Sequence, residues 1–274
     1  MEVTVLMENL VYKQGLKSEH GLSFLLKSDD LKIIFDTGQT GDFICNAIAL
    51  GENLKNVDYV VLSHGHYDHT GGLKRFLDIN KTAKIIMKKE ALEEKYSNST
   101  GKIRPIGFEL KDSYMNYDNE FIFVDGFYDI NKNIRVIGDI KKYTDYEDDE
   151  KKLFIKKDEE FIKDSFKDEL FLVEKNDNNK KIDIITGCSH NGIINIIKTA
   201  KYNFEDYKIN SVIGGTHLKG KSSDRIEKTI KALEKLEINK IGVNHCTGID
   251  SYTILKSKLG DNIFYAYTGL KINL

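Results

Sequence analysis

Short apolar runs separated by polar turns open the chain. Val3 to Met7, Ser23 to Lys27 and Lys32 to Phe35 read as β-strands, broken at Gly21 and at Asp29-Asp30. The period then changes: Thr40 to Leu50 sets Phe43, Ala47 and Leu50 on one face at helical spacing, which predicts an amphipathic helix. Asp58 to Leu62 is an apolar strand that runs directly into a cluster of histidines. Farther along, strands are expected at Lys181 to Thr186, Ser211 to Gly214 and Lys240 to Asn244, with helices at Gly192 to Thr199 and Arg225 to Leu236. The chain thus reads as repeated strand and helix units.

Each of the three later strands is followed by a histidine, His190, His217 or His245, as the earlier strand is followed by His64. With only 7 histidines in 274 residues, three recurrences at strand ends are not explained by composition. The carboxyl end of a strand is where side chains converge on a ligand without competing for core space.

Residues 96–170 have no clear period. They carry the only proline, Pro105, an acidic run from Glu147 to Glu150, and many aromatics, among them Phe108, Tyr114, Tyr117, Phe121, Phe123, Phe127 and Tyr128. That is too much apolar surface for a disordered linker, so the segment is expected to be an insertion that covers the core. A single domain over residues 1–274 is the expectation from length.

A net charge of −2, from 41 basic and 43 acidic residues spread along the chain, argues against a protein that grips nucleic acid through its phosphates and leaves a small molecule as the expected partner. No apolar run approaches the roughly 18 residues of a membrane span, and the N-terminus lacks a basic segment ahead of an apolar stretch. A cytoplasmic protein without a membrane partner is expected. Cys45, Cys188 and Cys246 are an odd, scattered set, which favours reduced thiols over a disulfide framework.

The chemistry concentrates in Ser63-His-Gly-His-Tyr-Asp-His-Thr-Gly-Gly72. Imidazole nitrogen and carboxylate oxygen are the ligands of zinc or iron at neutral pH. In a locally extended segment His64 and His66 point the same way, while Asp68 and His69 fall on the next turn and can serve a second ion. A lone surface histidine in a polar turn would ordinarily be structural. Three histidines and an aspartate within a six-residue span directly after an apolar strand would crowd positive charge, a difficulty that bound cations remove by keeping the imidazoles neutral.

This loop resembles that of the metallo-β-lactamase superfamily, and so do His20-Gly-Leu-Ser23, Phe35-Asp-Thr-Gly-Gln39, Thr186-Gly-Cys-Ser-His-Asn-Gly192, Gly214-Gly-Thr-His-Leu218 and Asn244-His-Cys-Thr-Gly248. Within the superfamily the chain looks like the branch of 7,8-dihydropterin-6-methyl-4-(β-D-ribofuranosyl)aminobenzene-5′-phosphate synthase. The resemblance implies an α/β fold, a four-layer αββα sandwich, with two divalent ions at one edge, zinc first and iron or manganese as alternatives. It implies His64 and His66 on one ion, Asp68 and His69 on the other, and Asp36 as an outer support whose other reading is a turn or cap aspartate.

The departures matter as much. Where the superfamily brings a bridging aspartate in Thr-Gly-Asp, this chain reads Thr186-Gly187-Cys188. His190 is the preferred further ligand, Cys188 a minority candidate whose other reading is a core residue, and Asp139 a substitute only if the insertion folds back. The resemblance gives His245 the closing position on the second ion. His217 is left as a proton donor or anion-binding group, with a structural role as its alternative; His20 is expected to be structural.

The expected function is a metallo-hydrolase, using metal-activated water or Lewis-acid metals on a small ester, lactone or phosphate-containing substrate, or the same chemistry in a pterin-transfer synthase, with Asp68 and His217 as catalytic groups. A non-catalytic metal- and ligand-binding member and a mononuclear iron dioxygenase are the alternatives. A flavodiiron role fits poorly, because those proteins have Glu where this chain has His66.

Overall fold

A computed structural model describes residues 1–28, 31–148 and 150–274. The expected break at Asp29-Asp30 and Asp149 of the acidic run lie outside the described residues. The chain divides into two compact units, the first made of residues 1–124, 150–169 and 267–273, the second of residues 125–149 and 170–266 with Leu274. The segment 96–170 is therefore shared between the two units.

The first unit is built on a seven-stranded sheet in the order Lys271–Asn273, Glu2–Met7, Ser23–Ser28, Leu31–Phe35, Tyr59–Val61, Lys84–Met87, Phe121–Phe123. Pairing is antiparallel through Leu31–Phe35 and parallel beyond it. The change follows from the connections, because a parallel neighbour needs a crossover and the helices Asp42–Ala49 and Leu73–Ile79 supply it. Phe43, Ala47, Leu73, Phe76 and Leu77 of those helices pack with Leu6, Leu25, Ile34, Val60 and Ile85 of the sheet. The first helix is shorter at both ends than its apolar spacing suggests, and Gly41, at φ 86°, forms the turn that starts it.

A second, four-stranded antiparallel sheet in this unit, Glu160–Lys163, Leu153–Lys157, Lys95–Ser97 and Arg104–Pro105, comes mostly from the unparsed segment. Pro105 sits on its two-residue edge strand, where a missing N–H does no harm. Phe108 is buried in the core of the unit, with Tyr114, Tyr117 and Phe121 half-buried against it.

The second unit carries a seven-stranded sheet ordered Ile263–Tyr265, Lys240–Asn244, Lys208–Gly215, Lys181–Thr186, Phe171–Asn176, Ile134–Ile137, Phe127–Asp129. The four strands from Lys181–Thr186 to Ile263–Tyr265 run parallel, joined by the helices Ile193–Asn203, Ser223–Glu234 and Ile249–Leu259. The Ser222 hydroxyl accepts the Arg225 N–H and starts the second helix two residues before the expected position. The helix predicted to stop at Thr199 continues to Asn203, since Ala200 extends its buried face. Ile182, Ile184, Val212, Ile241 and Val243 form the core with Ile193, Ile197, Ile226 and Ile230. Among the described residues, no helix is long and apolar enough to cross a membrane.

Candidate metal centre

In the first unit the histidine loop follows the strand Tyr59–Val61 and turns into the short helix Tyr67–Thr70. His64, His66, Asp68 and His69 are all buried, as metal-ligand candidates should be and surface histidines are not. His64 Nε2 lies 3.0 Å from His66 Nδ1, and the His64 and His69 rings are 4.2 Å apart. Asp68 Oδ2 lies 3.8 Å from His69 Nε2 and 3.3 Å from Nε2 of the exposed His20. His20 thus touches the ligand loop from outside, on an aspartate oxygen.

Asp36 organises the loop. It is fully buried at φ 60°, a conformation few non-glycine residues adopt. Its Oδ1 accepts the Ser63 N–H at 2.7 Å, and its Oδ2 accepts the Ser63 hydroxyl and meets His69 Nδ1, both at 2.7 Å. Because the Ser63 proton goes to Asp36, the Ser63 oxygen, 2.9 Å from His64 Nδ1, must accept the proton of that nitrogen. Hydrogen-bond balance therefore assigns Nδ1–H to both His64 and His69 and leaves each Nε2 a lone pair for a cation. Burial, with the Lys95 ammonium adding to it, pushes His66 down to about 3, against the partial opposition of Asp68 and Asp168. An imidazole held neutral is the form that binds a metal.

The loop is fastened from below by residues that no sequence motif singles out. The Gly65 N–H donates to Asp168 Oδ2 at 2.7 Å, and Asp168 Oδ1 pairs with Lys95 at 3.0 Å. Lys95 also meets Asp164 at 2.9 Å, and all three side chains are almost wholly buried. Burial opposes the charge on Lys95, but the two carboxylates more than offset this and hold its pKa above the ordinary value. Gly65 is required here, since a Cβ would come within 2.3 Å of the Ala91 carbonyl oxygen.

In the second unit three neighbouring parallel strands deliver donors just past their carboxyl ends: Cys188 and His190 after Lys181–Thr186, His217 after Lys208–Gly215, and His245 with Cys246 after Lys240–Asn244. Ligand atoms of Cys188, His190 and His217 lie within 4.8 Å of one another, as do those of Cys188, His245 and Cys246. The His190 and His217 ring centres are 4.3 Å apart. Ser189, His217 and His245 have φ of 61°, 52° and 48°, so unfavourable backbone gathers at the donors, which the packed strand ends must hold in place. Burial disfavours the Cys246 thiolate, yet hydrogen bonds to Cys188 and His217 and the nearby imidazoles bring its pKa well below that of a free thiol.

Glu147 fixes the start of the helix that follows His190. It accepts the N–H groups of Ile194 and Asn195 at 3.2 and 2.8 Å and pairs with buried Arg225 at 3.0 Å. Asp139, the conditional substitute for a bridging carboxylate, joins no donor group among the described residues, because its carboxylate is exposed and paired with Lys141 at 2.7 Å. Cys246 is the donor that sequence reasoning missed, although His245-Cys246 at a strand end was the available signal.

The sequence model of the Metallo-beta-lactamase superfamily matches residues 18–158, more than half of the chain. The chain belongs to the metallo-β-lactamase superfamily. A protein of Methanocaldococcus jannaschii known only as uncharacterized protein MJ0448 is 34% identical over 281 residues, covering 99% of this chain and 100% of the relative. From the same organism, 7,8-dihydropterin-6-methyl-4-(beta-D-ribofuranosyl)-aminobenzene-5'-phosphate synthase is 30% identical over 275 residues, 94% of this chain and 91% of the relative. The crystal structure of Tm1679, a metal-dependent hydrolase of the beta-lactamase superfamily, matches with a TM-score of 0.85 at 34% identity, covering 100% of this chain and 99% of the other. The fold class is thus the α/β metallo-β-lactamase fold that the motifs implied, with a mixed sheet and flanking helices in each unit.

Proposed function

We propose that this chain is a metal-dependent enzyme acting on a small phosphate-containing or ester substrate, with His64, His66, Asp68, His69, His190 and His245 as the donors for two divalent ions. The observation that carries the reading is the buried histidine loop itself, in which burial holds His66 neutral and the Asp36–Ser63 network sets the Nδ1 protons of His64 and His69, turning each Nε2 to a cation. A purely structural loop has no use for that arrangement. Divalent ions held there would supply Lewis acidity, activating water near neutral pH and neutralising charge on a leaving oxygen.

The remaining steps fall to the chain. Asp68, with His20 at 3.3 Å holding one of its oxygens, orients the attacking water and accepts its proton. His217, beside His190, donates a proton to the leaving group or binds its anion. Kinship with the pterin phosphate synthase supports a phosphate-containing substrate, and the name of Tm1679 supports hydrolysis; both rest on similarity. Elemental analysis of protein purified without added metal, beside assays on phosphodiester, lactone and pterin pyrophosphate substrates, tests the proposal. Turnover should vanish on chelation, return with a transition ion, and be lost in Asp68→Ala. Equal activity of stripped and loaded protein would end it.

A further inference from the structure

The donors of the second unit are richer in sulfur than the proposed ligand set requires. Cys188, His245 and Cys246 present two thiols and an imidazole within 4.8 Å of one another, from the ends of two parallel strands that both pair with Lys208–Gly215. The thiols come together because glycine stands between them: a Cβ on Gly215 would lie 2.5 Å from Cys246 Sγ and 3.4 Å from the Cys188 Cα. Cys246 Sγ, seated in that crease, is 3.3 Å from the Cys188 carbonyl oxygen. Cys188 also belongs to the triplet with His190 and His217, so one sulfur stands in both donor groups of the unit. The third cysteine, Cys45, is exposed and in neither.

We infer that Cys188 and Cys246, together with His245, form a sulfur-containing subsite for a borderline-soft divalent transition ion. The inference deepens the proposed metal reading and rests on it, by assigning sulfur ligands to the ion that His245 holds. A Cys2His set is that of a three-ligand zinc site with an open position, and thiolate selects zinc, cobalt or ferrous iron over magnesium or manganese. Binding is balanced by proton release: each S–H bond gives its proton to solvent as the sulfur–metal bond forms, with no change of oxidation state.

The test is cobalt(II) loading of the chelator-stripped protein, with metal content measured on the same samples. A sulfur-to-cobalt charge-transfer band in the near ultraviolet is expected, largely lost in Cys188→Ser and reduced in Cys246→Ser. A thiol-reagent titration of the unaltered protein guards against misfolded variants: zinc should shield two thiols while Cys45 still reacts. Stoichiometric cobalt without the band, a band indifferent to both substitutions, or three reactive thiols in the zinc-loaded protein would each overturn the subsite and leave metal binding by histidines standing. Failure to take up any ion would overturn both.

Discussion

Replacing Lys95 by methionine isolates one electrostatic contact beneath the histidine loop. Methionine keeps most of the volume of the lysine stem, so little cavity is created, but the ammonium 2.9 Å from Asp164 and 3.0 Å from Asp168 disappears. Two carboxylates at 3% and 0% exposure are left facing each other without a cation. Breaking a buried ion pair from one side costs about 3–5 kcal/mol. That figure is fully felt only while both carboxyls are ionised. Burial already raises Asp164 even with Lys95 present, and without the lysine its pKa must rise further. A carboxyl whose folded pKa lies above its unfolded value stabilises the fold below the unfolded pKa and loses that contribution as pH climbs through the folded one. The deficit of Lys95→Met relative to the parent should therefore be largest near pH 8 and shrink towards pH 5. Urea unfolding followed by circular dichroism at the two pH values measures it. A second substitution, Asp164→Leu, should recover part of the loss by removing one stranded charge. If Lys95→Met is within about 1 kcal/mol of the parent at pH 8, far below the usual cost of such a break, the reasoning fails.

Asp36→Asn should weaken metal binding by roughly 10- to 100-fold in a competition titration with a chromophoric chelator, since an amide has one accepting oxygen and cannot serve both the Ser63 N–H on one side and the Ser63 hydroxyl with His69 on the other. Gly192→Ala should destabilise by about 1–3 kcal/mol on urea unfolding, because its Cβ would fall 2.3 Å from the Glu147 carboxylate at a φ of 98°. In metal-stripped protein the His66 ring resonances should stay in the neutral position from pH 8 to pH 5. With its pKa depressed to about 3, His66 contributes stability that is complete above the unfolded value of 6.5 and drains away as pH falls towards 3, so the unfolding midpoint should drop through that window.

The strands Lys181–Thr186 and Lys240–Asn244 fall where the apolar runs put them, and the histidines stand at strand ends because the loop motif and the strand period agree. What escaped was long-range charge. Lys95, Asp164 and Asp168 read as ordinary members of a polar segment, and nothing local says that an ammonium and two carboxylates will share one buried cluster. Residues 96–170 are illegible for a related reason: their strands are 2 to 5 residues long, too short to establish a period, and several pair with partners far along the chain. Cys246 carries only the weak mark of a cysteine beside a histidine at a strand end, and nothing in the sequence says that its thiol lies near another.

In the second unit Ile182, Ile184, Val212, Ile241 and Val243 lie within strands, whereas Cys188, His190, His217, His245 and Cys246 all come just after them. Residues that hold the unit together and residues that are candidate metal donors are thus different residues. A lineage carrying this scaffold can exchange sulfur for oxygen or nitrogen at the strand tips, and so move between metals and reactions, while selection on its interior stays unchanged.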